Sequence, residues 1–186
     1  GPQGDVQRIF NYVRLVRDAE TVSMPHTVYL PLVQRERSDT GSDAGGLNLF
    51  APLNATTTIL LDDEGNVVHT WESSYRPGNA VYLLENGNLL RTAMIDQIPN
   101  FGSGGRGGRV EEIDWDGNLV WSFNYGDTNV LQHHDIEYLP NGNILMIAWE
   151  RKTLPECVQA GRNPATLRDN ELWPDHIIEV APSGST

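Results

Sequence analysis

Residues 79–93, NAVYLLENGNLLRTA, consist of two short apolar segments on either side of the turn Glu85-Asn86-Gly87-Asn88. Asn-Gly is strongly favoured in tight β-hairpin turns because both central positions need a positive φ, so this stretch predicts an antiparallel hairpin. The same pattern of strand, turn and strand occurs in three further segments, residues 58–71, 109–123 and 134–149. Four consecutive hairpins predict an all-β fold.

The turns of alternate hairpins resemble each other. Gly65 and Gly117 lie in Glu-Gly-Asn and Asp-Gly-Asn turns and are 52 residues apart (117 minus 65), whereas Gly87 and Gly142 both lie in Asn-Gly-Asn turns and are 55 residues apart (142 minus 87). Four short strands in a period of about 50 residues are typical of one blade of a β-propeller. The sequence therefore predicts a β-propeller.

The period assigns the strands to blades. Residues 58–71 are predicted to form the outer two strands of one blade, 79–123 all four strands of the next, and 134–149 with 175–180 three strands of a third. Residues 46–186 thus supply about two and a half blades, whereas closure of a propeller needs at least four. We expect the remainder of the propeller to be a partner, either as a second chain or as a continuation of the same polypeptide.

Two other segments lie outside this pattern. Residues 1–45 are predicted to be an N-terminal extension and linker, because their apolar residues near helical spacing are followed by a stretch rich in Arg, Ser, Asp and Gly. Residues 150–174 are predicted to form a long insertion in the third blade, a loop with one helical turn.

The charge balance excludes some partners. Lys and Arg total 13 against 25 for Asp and Glu, a formal net charge of -12, and such a surface repels the phosphates of nucleic acids. The longest apolar runs are far shorter than the roughly 20 residues of a membrane-spanning helix. We therefore predict neither nucleic-acid binding nor a membrane span.

His133 and His134 are the first candidate catalytic residues. They are predicted to open an innermost strand, whose start faces the central channel of a propeller, and the equivalent residues one blade earlier are Gly78 and Asn79. The imidazoles are thus an addition to the repeat, although a surface or structural role stays equally open. On a regular strand neighbouring side chains face opposite ways, so at most one of the two is expected in the channel.

Further candidates lie near the third blade. His176 precedes a strand and is either a hydrogen-bonded structural residue or a site residue, and Arg151 either clamps an anion or belongs to a solvated charge run. Metal binding is a weaker alternative, because the candidate ligands match no compact zinc spacing: His133, His134, Asp135 and His176. We predict no metal.

Three segments resemble the bacterial and archaeal arylsulfotransferases of the aryl-sulfate sulfotransferase type: GNVVHTW at residues 65–71, QHHDIEYLPNGN at 132–143 and ELWPDHIIEV at 171–180. The resemblance covers about residues 45–186. It implies an exported, extracellular or periplasmic propeller of six blades. It also implies transfer of a sulfuryl group between phenolic compounds through a transiently sulfated channel histidine, without a nucleotide donor or other cofactor.

Residue by residue, the resemblance carries the channel histidines over to His134, with His133 and His176 as further candidates, and the sulfate-binding arginine to Arg151. In that family the nucleophile lies in a later blade, which this sequence is not expected to contain. Aryl sulfate and phenol are the expected substrates. Two other functions stay open: a non-catalytic extracellular structural or adhesive module, and a propeller lyase or hydrolase that acts on polysaccharide.

Overall fold

The structure is a computed structural model that describes residues 46–182. Residues 1–45 and 183–186 are not described, so the predicted N-terminal extension and linker lies outside the described residues. The described part is built from antiparallel sheets that follow one another along the chain, which confirms the all-β prediction. It does not form a closed ring of blades.

Three main sheets contain most of the strands. The first has the order β1-β2-β3, with strands Leu47–Phe50, Thr57–Asp62 and Val67–Glu72. The second has the order β4-β5-β6-β7, with strands Pro77–Leu83, Leu89–Met94, Gly108–Ile113 and Leu119–Asn124. The third begins with β8 and β9, at Val130–Tyr138 and Ile144–Glu150. All four predicted hairpins are confirmed by their strand pairing.

An insertion interrupts the third sheet after β9. It contains β10, α1, a 3-10 helix and β11, at Lys152–Thr153, Leu154–Gln159, Pro164–Thr166 and Glu171–Leu172. The chain then returns to the sheet as β12, Asp175–Val180, which pairs with β9. The predicted loop with one helical turn is therefore a more ordered segment, because β10 and β11 form a small antiparallel pair.

The first sheet also differs from the prediction, which assigned it two strands. Leu47–Phe50 adds a third by pairing with β2, with Leu49 opposite Leu60. Only four residues long and largely exposed, this strand lacks the alternation of buried and exposed residues on which the sequence argument depends.

The innermost strands of the second and third sheets are irregular at corresponding places. The register of β4 against β5 shifts between Pro77 and Val81, and that of β8 against β9 shifts between Gln132 and Ile136. The two positions differ by 55 residues (132 minus 77), which is the spacing of the glycines in the Asn-Gly turns. The bulge of β8 contains His133, which therefore lies inside the strand rather than at its start.

Two hydrophobic clusters join the sheets. Buried residues of the second and third sheets form one cluster: Ala80, Leu90, Val110, Ile136, Ile144, Met146 and Val180. Buried residues of the first and second sheets form the other: Leu60, Trp71, Leu89 and Ile113. Each sheet thus packs against the next along the chain, and burial of these apolar faces stabilises the arrangement.

Candidate functional site

His134 lies at the bulge of β8 in an unusual backbone conformation. Its φ is 54°, in the left-handed region that residues other than glycine seldom adopt, at a cost of roughly 1–2 kcal/mol. The backbone N–H of His134 donates to the carbonyl of Gly105 at 2.7 Å, which holds this conformation. Such an outlier marks a place where the surrounding structure fixes the chain, as at functional sites.

The bulge turns the rings of His133 and His134 toward each other. Their Nδ1 atoms are 2.8 Å apart and the ring planes are nearly perpendicular, at 89°. The expectation that the two side chains face opposite ways is wrong, because that rule holds for a regular strand and the positive φ of His134 breaks the alternation.

His133 is the buried member of the pair, with 4% of its surface exposed. Its Nε2 lies 3.1 Å from Oδ1 of Asp175 on β12, and its ring stacks on Trp149 at a centroid distance of 4.0 Å. Burial lowers the pKa of His133, and the Asp175 carboxylate opposes this effect only in part. The ring is therefore neutral at pH 7.

His134 is the exposed member. Its Nδ1 contacts His133, whereas its Nε2 has no hydrogen-bond partner within residues 46–182. An imidazole nitrogen that carries no proton is a competent nucleophile or base near neutral pH. Nε2 of His134 is thus the atom of this site that is open to a ligand.

Aromatic side chains surround the two histidines. Trp149 packs on His133 and lies 6.1 Å from Phe101 and 5.9 Å from Trp173, measured between ring centroids. Trp173 also lines a cleft of about 640 Å³ between residues 100–103 and 166–173. A concave, partly aromatic surface of this size suits a small aromatic molecule.

The glycine-rich segment 102–108 covers one side of the site. Arg106 forms a β-bridge with His133, and the N–H of Gly107 donates to the carbonyl of Gln132 at 3.1 Å. A Cβ atom on Gly105 would lie 2.3 Å from both Cε1 and Nε2 of His134. The ring of His134 can occupy its position only because residue 105 has no side chain.

Gly105→Ala is therefore expected to displace the His134 ring and to lower the free energy of unfolding by about 1–2 kcal/mol, since φ of Gly105 is 78°. The matched control is Gly104→Ala, because a Cβ there meets no atom within 4 Å. Urea denaturation measures the stability, and the NMR signal of the His134 ring reports its displacement. An unchanged ring signal in Gly105→Ala would contradict the described packing.

The structure places the other sequence candidates elsewhere. His176 follows Asp175 on β12, and its Nε2 contacts the hydroxyl of Tyr125 at 2.9 Å rather than either histidine of the bulge. Burial lowers the pKa of His176. Asp135 accepts a hydrogen bond from the hydroxyl of Tyr82 at 2.7 Å. Neither residue contacts the rings of the histidine pair.

Two arginines differ in their pairing. Arg151 forms an ion pair with Glu171, so a carboxylate within the insertion already offsets its charge. Arg106 has no carboxylate partner among the residues that the structure describes; one of its Nη atoms donates to the carbonyl of Ile98 at 3.2 Å. Sequence reasoning missed Arg106 and Asp175, although the Trp-Pro-Asp-His motif contains Asp175 beside a histidine.

Within residues 46–182, no group of three or more His, Cys, Asp or Glu side chains is placed to hold a metal ion. The same part of the chain contains no helix of the length and apolarity needed to cross a membrane. Comparison with protein-family models, with curated proteins and with solved structures finds no match. The chemistry of the site is therefore argued from its own residues.

Proposed function

We propose that the protein is an arylsulfotransferase-like transferase that moves a sulfuryl group between phenolic compounds through His134. The observation that carries the proposal is the exposed Nε2 of His134, which has no partner among the described residues while Nδ1 is held by the buried His133. The proposal goes beyond the family resemblance in one respect, since it assigns the nucleophile to a histidine of this chain.

The reaction takes place in two balanced steps. In the first, the lone pair of His134 Nε2 attacks the sulfur of an aryl sulfate, a nitrogen–sulfur bond forms, and the sulfur–oxygen bond to the aryl group breaks with release of a phenolate. In the second, the oxygen of another phenol attacks the same sulfur, the nitrogen–sulfur bond breaks, and the phenolic proton passes to water. Nothing is oxidised or reduced, so the reaction needs no redox cofactor.

The surroundings of His134 supply the other requirements of this chemistry. Trp149, Trp173 and Phe101 offer an aromatic surface for the aryl group. Arg106 suits the role of sulfate binder better than Arg151, because no described carboxylate neutralises it. A cation there would offset charge on the transferring group, as cations do in phosphoryl transfer.

We also propose that the three main sheets are consecutive blades of a propeller, six-bladed by the family resemblance. The matched bulges support this, because the register shifts in β2 and β6 differ by 52 residues (112 minus 60) and those in β4 and β8 by 55 (132 minus 77). Both offsets equal the spacings of the corresponding turn glycines. An extracellular or periplasmic location is part of the proposal and rests on the resemblance.

A trapping experiment tests the function. The full chain is mixed with a chromogenic aryl sulfate without acceptor, quenched, digested and analysed by mass spectrometry. We expect a burst of phenolate equal to the enzyme concentration and one added SO3 group on His134, and we expect a phenol acceptor to discharge it. Added SO3 on another residue would overturn the assignment of His134. Absence of phenolate release would overturn the function and leave the non-catalytic structural or adhesive module.

A further inference from the structure

Asp175, His133 and His134 form a continuous chain of contacts that ends at the open Nε2. Asp175 Oδ1 lies 3.1 Å from His133 Nε2, and His133 Nδ1 lies 2.8 Å from His134 Nδ1. We infer that Asp175 and His133 are positioning residues that hold His134 in the tautomer with its proton on Nδ1. The catalytic meaning of this inference rests on the proposed function, whereas the tautomer is a property of the free protein.

Hydrogen-bonding rules determine each proton in turn. An ionised carboxylate only accepts hydrogen bonds, so the nitrogen that faces Asp175, Nε2 of His133, must carry a proton. A neutral imidazole has one N–H, which leaves Nδ1 of His133 as an acceptor. The 2.8 Å contact then requires His134 to donate from Nδ1, and its Nε2 keeps the lone pair.

The neutrality of His133 is supported by its surroundings. Only 4% of the residue is exposed, its ring stacks on Trp149, and burial lowers its pKa. The charged or titratable groups near it are Asp175 and His176 on β12, His134 on its own strand, and Arg106 on the glycine-rich segment. Of these, Asp175 and His134 are the ones that hydrogen-bond to the ring nitrogens among the described residues.

The opposite arrangement would place two lone pairs against each other. If His133 donated from Nδ1 to His134, its unprotonated Nε2 would face the oxygen of Asp175 at 3.1 Å. The carboxylate therefore selects one arrangement over the other. It also opposes the positive charge that develops on His134 when Nε2 forms a bond, which is the role of the carboxylate in Ser-His-Asp sites.

Substitution of Asp175 by asparagine tests the inference. The amide NH2 of the introduced side chain can donate to His133 Nε2, which would reverse both hydrogen bonds and place the proton of His134 on Nε2. The readout is the 15N NMR spectrum of the full chain labelled on histidine, because protonated and unprotonated ring nitrogens have well-separated shifts. We expect the Nδ1-protonated form of His134 in the wild type and a loss or reversal of that form in Asp175→Asn.

Asp135→Asn is the matched control, because it removes a neighbouring carboxylate that contacts Tyr82 instead of a histidine ring. This variant should keep the wild-type tautomer of His134. Asp175 has 55% of its side chain exposed, so its replacement should leave the fold intact, and the backbone amide spectrum verifies this. An unchanged His134 tautomer in folded Asp175→Asn would overturn the inference.

A transfer assay on the same variants separates the inference from the proposed function. If the protein transfers sulfuryl groups, Asp175→Asn should lower kcat by about 100-fold or more with little change in KM, because the wrong tautomer removes the nucleophile and not the binding surface. Full activity in a variant with the reversed tautomer would overturn the catalytic role of the pair. A reversed tautomer in a protein without any transfer activity would support the inference and reject the function.

Discussion

His134→Asn is expected to abolish sulfuryl transfer, with a fall in kcat of about 1,000-fold or more. The substitution removes the ring nitrogen that is proposed to bond to sulfur. Asparagine tolerates the left-handed conformation that His134 adopts at φ 54°, so the backbone of the bulge should be preserved. His134 is exposed, and its replacement should change the free energy of unfolding by about 1 kcal/mol or less.

The measurement is the rate of phenolate release from a chromogenic aryl sulfate in the presence of a phenol acceptor. Asn79→Ala is the control, because Asn79 is the exposed residue at the corresponding place in the bulge of β4 and should keep wild-type activity. Urea denaturation of both variants distinguishes a loss of chemistry from a loss of fold. Wild-type turnover by folded His134→Asn would show that the nucleophile lies elsewhere.

Arg91→Met should lower the free energy of unfolding by about 3 kcal/mol. Arg91 on β5 is fully buried between the first two sheets, where it donates to the carbonyls of Thr56 at 3.1 Å and Tyr75 at 3.0 Å. Its Nε also lies 3.9 Å from the buried carboxylate of Glu111. Removal of the guanidinium leaves these buried acceptors without a charged donor, and methionine has none to replace it.

The size of this effect follows from the partners that remain. Loss of one member of a buried ion pair costs about 3–5 kcal/mol, and the lower end applies because Glu111 keeps contacts with Arg109 and Ser73, each at 2.8 Å. Arg76→Met is the control, since its exposed pair with Asp96 is worth about 1 kcal/mol or less. Equal losses in the two variants on urea denaturation would contradict the buried network.

The hairpins are the part of the fold that could be predicted from sequence. Each turn contains glycine at a positive φ, such as 84° at both Gly65 and Gly87, and few other residues adopt that conformation cheaply. Period-two alternation on both sides then defines the strands. The short β1 was not predicted, because its position depends on pairing with β2 and not on a pattern of its own.

The candidate site was predicted only in part. His133 and His134 stand out because Gly78 and Asn79 occupy the same places in the preceding sheet. Asp175 was not identified as their partner, because 42 residues separate it from His133 and only the pairing of β12 with β9 brings it close. The role of Gly105 was likewise missed, since the sequence indicates only a glycine-rich connection there.

Turn chemistry depends on two or three neighbouring residues, so the amino-acid sequence alone was enough to establish the antiparallel hairpins and the place of the two histidines. The direction of the histidine rings depends on a positive φ at His134, which the carbonyl of Gly105 holds through a hydrogen bond between distant segments. The contact of His133 with Asp175 depends on the register of two strands separated by an insertion. Local propensities do not encode such long-range pairings, and these come from the packing of the whole sheet.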